Sequence, residues 1–249
     1  MGQVAGGQQA DTLSVGCLMR LRPFFSYYGS KYLLAPHYPA PQHDTVIEPF
    51  AGSAGYSLLH FEHDIYLFDV NPVIVELWEF LIGATRGDIL SLPLEITDLR
   101  EMDLPAGAKH LIGFWLVRSA SHPGNVPHGW MRTGIYGTSF WSAEKRQRVA
   151  DQVQYIRHWQ VAKGSYCDVP DVTATWFVDP PYRKHGCGSR YRFNRIDYDA
   201  LALWSLTRDG QVIVTEQDGA DWLPFIPFRM TRTPTKGARS SLEAVWTNV

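Results

Sequence analysis

The sequence predicts an α/β fold, a mostly parallel sheet with helices on its faces. Three observations carry this. The β-branched run Thr45 to Ile47 passes through the Gly-rich turn Glu48-Pro49-Phe50-Ala51-Gly52-Ser53-Ala54-Gly55 into Tyr56 to Phe61, a strand, a turn and a helix in succession. A second apolar run, Ile65 to Phe68, ends at Asp69-Val70-Asn71-Pro72 and is followed by apolar residues at helical spacing from Val73 to Leu81. A third, Trp176 to Val178, ends at Asp179-Pro180-Pro181-Tyr182. The β-α-β-α order calls for parallel strands covered by helices, and ligands of such sheets bind at the carboxyl ends of the strands.

The remaining elements follow in order. Pro72 stands where a first-turn proline belongs. From about Gly87 to Gly164 the strand-helix rhythm breaks. Ala108 to Ser119 read as a helix, and His122 to Gly137 are rich in Gly, Pro and His without periodicity. Ser142 reads as the N-cap of a long helix that places Val149, Val153 and Ile156 on one face. The alternation resumes near Thr173, with a helix over about Tyr198 to Leu206 and strands over Gln211 to Thr215, Phe228 to Thr233 and Leu242 to Thr247. The expected division is a segment without fixed structure at 1–19, an α/β domain formed by 20–86 and 165–249, and a mainly helical insertion at 87–164.

Composition sets bounds on function. The chain has 249 residues, 45% of them hydrophobic, enough for one sizeable core. The net charge of −2 means that any nucleic-acid contact must come from a local basic patch. Cys17, Cys167 and Cys187 are far apart and form no Cys-x-x-Cys pair, so neither a metal site nor a disulfide framework is indicated and a reducing compartment is expected. No apolar run reaches the roughly 18 residues that a membrane span needs, and the N-terminus does not read as a secretion signal.

The chemistry lies at the strand ends. Asp179 can accept a hydrogen bond from an amino group. Pro181 restricts Pro180, whose carbonyl is left without a helical partner. Tyr182 offers a ring face to a planar ligand, so the four residues suit a planar amine such as the exocyclic amine of a nucleobase. Taken alone, they fit a rigid turn equally well. Asp69 follows Gly52 by 17 residues, near the spacing at which an acidic residue accepts hydrogen bonds from ribose hydroxyls. It also suits a helix cap. In Tyr27-Tyr28-Gly29-Ser30-Lys31, Lys31 and backbone amides can clamp a carboxylate.

Four of these blocks, in this order, resemble the adenine-N6 DNA methyltransferases of the DNA-adenine-methylase (Dam) type. They are Tyr28-Gly29-Ser30-Lys31, Glu48 to Gly55, Asp69-Val70-Asn71-Pro72 and Asp179-Pro180-Pro181-Tyr182. Softer matches are Asn125-Val126-Pro127-His128-Gly129 and Glu243 to Asn248. The chain departs from the family's FxGxG loop at Ala54, where relatives have glycine, and has Tyr27 where relatives often have Trp. The resemblance implies a Rossmann-like S-adenosylmethionine-dependent methyltransferase sheet with an inserted target-recognition region. It implies S-adenosylmethionine as cofactor, bound by Tyr27, Tyr28, Gly29, Lys31, Glu48, Pro49, Phe50, Gly52, Ser53, Asp69, Asn71 and Asp179. It also implies catalysis by Asp179, Pro180, Pro181 and Tyr182 on adenine N6, with the base flipped out of duplex DNA.

DNA is expected to be held after the catalytic block, where Arg183, Lys184, His185, Arg190, Arg192 and Arg195 alternate with Tyr191 and Phe193. Arg118, Asn125 and Arg132 in the insertion can read base edges. The expected partner is double-stranded DNA, the expected state a monomer and the expected location the cytoplasm of a bacterium or phage-infected cell. Two other readings keep the fold: methylation of RNA or a protein amide, and a DNA-binding relative whose catalysis is weakened at Ala54.

Overall fold

The computed structural model describes residues 20–117, 120–127, 129, 140–183, 190–231 and 241–249. Seven strands form one sheet: β1 (Thr45–Glu48), β2 (Asp64–Asp69), β3 (Gln160–Lys163), β4 (Ala174–Val178), β5 (Gly210–Gln217), β6 (Ile226–Thr231) and β7 (Ser241–Thr247), in the order β3-β2-β1-β4-β5-β7-β6. The five strands from β3 to β5 run parallel, whereas β7 is antiparallel to both β5 and β6. This is the Rossmann-like α/β sheet expected from the sequence.

Alternation along the strands divides the core between two faces. Val46, Ile65, Leu67, Phe177 and Ile213 face one side, where they pack with residues of α1 (Pro72–Gly83), α3 (Ala106–Leu116) and α4 (Ala143–Gln152). Ile47, Trp176, Val178, Val212 and Val214 face the other, where α5 (Tyr198–Leu206), Trp222 and Leu223 cover them. A strand covered on both faces reads as a continuous apolar run, which is why Ala174 to Val178 is buried throughout. The short α2 (Arg86–Ser91) is opened by a capping box in which Thr85 and Asp88 exchange hydrogen bonds.

Helix starts follow local chemistry. Asn71 caps α1 by accepting from the Val73 amide, with Pro72 at the first helical position. Ser142 caps α4 through the Lys145 amide, and Asp197 caps α5 through the Ala200 amide. The apolar face expected beyond α4 is kept, but the chain tightens into a 3-10 turn at Val153–Ile156.

The structure departs from expectation at two places. Tyr56 to Phe61 form successive turns rather than a helix. The Ser57 amide and hydroxyl both donate to Glu48 Oε1, at 2.8 and 2.6 Å, so the amide serves the buried carboxylate instead of a helical carbonyl. The segment 87–164, expected to be a mainly helical insertion, contains the edge strand β3 and shares its core with α1. At Gly107 an added Cβ would stand 2.3 Å from the Glu76 carbonyl oxygen, so α3 lies directly on α1. The expectations for 1–19, and for Arg118, His128, Arg132, Lys184 and His185, lie outside the described residues. Among the described residues, no helix is long and apolar enough to cross a membrane.

Candidate active site

The strand order reverses between β1 and β4, the topological switch point of such sheets. A cavity of about 370 Å³ opens there, within the usual range for small-molecule sites. Its walls come from the carboxyl ends of four strands: Glu48 to Ser53 after β1, Asp69 to Asn71 after β2, Ser165 and Tyr166 after β3, and Asp179 with Pro181 after β4. The segments Tyr27 to Lys31 and Tyr191 to Ile196 close the remaining sides.

The Gly-rich turn is held at Gly52, through both its amide and its carbonyl. Asp69 Oδ2 accepts from the Gly52 amide at 3.0 Å, and Oδ1 accepts from the Asn71 amide at 2.9 Å. The Gly52 carbonyl accepts from Trp78 Nε1 at 2.9 Å. Gly52 has φ +45°, and a Cβ there would meet the Tyr27 ring at 3.0 Å. Ala54 also adopts a positive φ of 50°, the left-handed region that favours glycine. Its methyl group is fully buried, so the departure at this position is accommodated by local backbone strain. At Gly55, a Cβ would stand 2.6 Å from the Tyr32 amide nitrogen, so this glycine lets the turn rest against the Lys31–Tyr32 backbone.

Burial shapes the electrostatics. Burial raises the Asp69 carboxyl to about 6, against the lowering effect of its two amide donors. Burial raises the Glu48 carboxyl to about 8, only partly offset by the two Ser57 donors. Lys31 is held well above the usual lysine range: burial acts to lower it, but Asp179, Tyr182 and Glu243 together prevail.

Lys31 Nζ lies 2.9 Å from Asp179 Oδ1, donates to the Gly29 carbonyl at 3.0 Å and stands 4.8 Å from the Tyr182 ring centre. Thr215 Oγ1 donates to the same Asp179 oxygen at 2.7 Å. Asp179 Oδ2 therefore has no protein partner among the described residues, on a side chain 20% exposed at the cavity wall. Pro180 is buried, and the Pro181 carbonyl accepts from the Tyr198 hydroxyl. Tyr182, expected to present a ring to a base, has Lys31 over one face and donates its hydroxyl to Glu243 Oε2.

All twelve residues expected to hold cofactor line this cavity. The expected DNA-binding residues are more scattered. Arg192 and Arg195 line the cavity mouth, and the Arg190 guanidinium lies 4.8 Å above the Tyr28 ring. Arg183 pairs with Asp221 at 3.2 Å on the surface, a contact weak enough to be exchanged for a phosphate. Asn125 is exposed, and its carbonyl accepts from the Leu99 amide.

Sequence reasoning missed Ser165 and Tyr166. Tyr166 stacks on Phe50 with ring centres 5.9 Å apart. The strand-end rule finds both once Gln160–Lys163 is seen as a strand, but its four residues lack alternation and are mostly exposed. Ser121, Thr215 and Ile196 were also missed and carry no signal in the sequence. Tyr191 closes the site by donating to the Tyr28 carbonyl at 3.1 Å, while Ser121 donates to the Arg190 carbonyl.

No protein-family model and no curated protein matches the chain. Among solved structures, it is similar to the rRNA methyltransferase AviRa from Streptomyces viridochromogenes, at 14% identity and a TM-score of 0.37, covering 96% of this chain and 94% of that one.

Proposed function

We propose that this protein is an S-adenosylmethionine-dependent DNA methyltransferase acting on the N6 amine of adenine. The observation that carries the reading is the state of Asp179. One of its oxygens is fixed by Lys31 and Thr215, and the other has no protein partner among the described residues, at the wall of a cavity shared with the Gly-rich turn.

The residues fit the cofactor. Asp69 is anchored by two backbone amides yet keeps lone pairs on both oxygens for ribose hydroxyls. The Phe50–Tyr166 pair offers aromatic surface to an adenine ring. The Tyr27–Lys31 segment stands opposite as the wall for an amino-acid moiety. When bound, S-adenosylmethionine supplies an electrophilic methyl group on sulfur.

The protein's own part is positioning. Adenine N6 is a poor nucleophile because its lone pair is delocalised into the ring. Hydrogen bonds from N6 to Asp179 Oδ2 and to the Pro180 carbonyl localise that pair and aim it towards the methyl group. Lys31 and Thr215 stop the carboxylate from rotating. As the N6–methyl bond forms, the methyl–sulfur bond would break to leave the neutral thioether, and the amine proton would then pass to water. Arg192 and Arg195 at the cavity, with Arg190 over the Tyr28 ring, serve as phosphate contacts, and the target base must be flipped to enter.

The test is transfer of labelled methyl from S-adenosylmethionine to duplex DNA, single-stranded DNA and RNA, with modification detection by sequencing. N6-methyladenine in duplex DNA is the expected product. Label confined to RNA or to another base contradicts the proposal.

A further inference from the structure

The catalytic block has a neighbour that the proposed reaction has not used. Glu243 lies on β7, paired with Gln217 of β5 and Arg229 of β6, and is 7% exposed. Its carboxylate divides between two partners: Oε2 accepts from the Tyr182 hydroxyl, and Oε1 lies 3.9 Å from Lys31 Nζ. Lys31 thus stands between Asp179 and Glu243, one buried ammonium facing two carboxylates. The Tyr38 hydroxyl, buried and without a hydrogen-bond partner among the described residues, adjoins the same group, its ring stacked on Phe228 at 4.8 Å.

This arrangement has a cost that packing does not explain. A buried carboxylate is expensive unless paired, and Phe or Leu would fill the position without that cost. What Glu243 supplies is geometry. It is the described group that ties the Tyr182 hydroxyl and also draws on the Lys31 charge. Building on the functional reading above, we infer that Glu243 is a positioning residue: through Tyr182 it fixes the ring that packs against the Lys31 ammonium, and through Lys31 it sets how firmly Asp179 is held. Asp179 keeps the substrate contact itself.

Several charged or titratable groups face Glu243. Lys31 and Asp179 face it from the site, Tyr182 and Tyr38 from either side, and Glu216 from β5. Arg229, its register partner on β6, is exposed. Burial pushes the Glu243 carboxyl up, and Lys31 and the Tyr182 hydroxyl pull it back. Protonation as the pH falls removes its hold on Lys31.

The experiment is single-turnover methyl transfer across pH by E243Q, E243D and Y182F, with S-adenosylmethionine affinity measured in parallel. E243Q keeps the shape and loses the charge. Its rate is expected to fall about tenfold or more, with cofactor Kd within twofold and without the acid limb that Glu243 protonation gives the parent. E243D keeps the charge one methylene further back, and is expected to retain the limb at a reduced rate. In the Y182F/E243Q double variant the two losses are expected to overlap rather than multiply. Parent-like rate and limb in E243Q, or losses that multiply, overturn the inference. If the parent enzyme methylates no nucleic acid, the functional reading has failed. The Tyr182 ring in a crystal structure of E243A then decides: a displaced ring supports the role of Glu243, and a ring held as in the parent overturns it.

Discussion

Lys31 Nζ is 2.9 Å from Asp179 Oδ1, an ion pair in which the lysine side chain is 6% exposed. Residues 148 positions apart in the chain are brought together because the Tyr28–Lys31 segment backs onto the Gly-rich turn, while Asp179 ends the neighbouring strand β4. Removing the ammonium takes away the cation shared by Asp179 and Glu243 and leaves them the hydroxyl donors Thr215 and Tyr182. K31M is expected to lose about 3–5 kcal/mol of unfolding free energy, the scale for breaking a buried pair. Urea denaturation of K31M against the parent measures this. A loss below 1 kcal/mol would show that the pair is solvated.

Asp69 predicts a pH dependence of cofactor binding. Burial disfavours the charge and raises its carboxyl to about 6. Ribose hydroxyls donate to a carboxylate, so binding favours the ionised form. Affinity for S-adenosylmethionine is expected to rise between pH 5 and 7 and then level off. D69N, which cannot ionise, is expected to bind weakly without that rise. Calorimetry at intervals of half a pH unit reads both.

Glu48 predicts a pH dependence of stability. Its folded value of about 8 exceeds the usual carboxylate value of 4.5, so the folded state holds the proton more tightly. This contribution is complete below pH 4.5 and is lost as the pH rises towards 8. E48Q keeps a carbonyl for the two Ser57 donors and does not titrate. Its unfolding free energy is expected to fall less steeply than the parent's between pH 5 and 8. Parallel curves over that range would contradict the assignment.

Gly29 and Tyr191 predict a steric effect at the rim. Gly29 has φ +76°, and a Cβ there would stand 2.2 Å from the Tyr191 hydroxyl oxygen. G29A carries a backbone cost of about 1–2 kcal/mol in the left-handed region and must also push the tyrosine off the Tyr28 carbonyl. Y191F loses only the hydrogen bond, worth about 1 kcal/mol. Cofactor affinity is therefore expected to fall more in G29A than in Y191F. Equal affinities would detach Tyr191 from the closure of the site.

The sequence was most informative where one residue's chemistry decides the local structure. Pro72 and Ser142 start their helices as expected, although the cap before Pro72 is Asn71 and not Asp69, and the run Trp176 to Val178 is apolar because both sheet faces are covered. It was silent where structure depends on distant partners. Gln160–Lys163 becomes a strand by pairing with Tyr66 to Asp69, not by its own pattern. Tyr56 to Phe61 look helical until the Glu48 carboxylate takes the Ser57 amide. Asp179 and Asp69 were legible because they sit at strand ends behind short motifs. Thr215 and Glu243 were not, because their roles exist only through the register of β5 against β4 and β7.

The central claim is that Asp179 presents a fixed carboxylate oxygen to the target amine. Single-turnover methylation of adenine in duplex DNA by D179A and D179N, with cofactor affinity measured on the same preparations, tests it most directly. The account predicts a rate loss of at least 100-fold, the scale for removing one well-aimed polar group from a transition state, with S-adenosylmethionine still bound. Methyl transfer by D179A at the parent rate would contradict it.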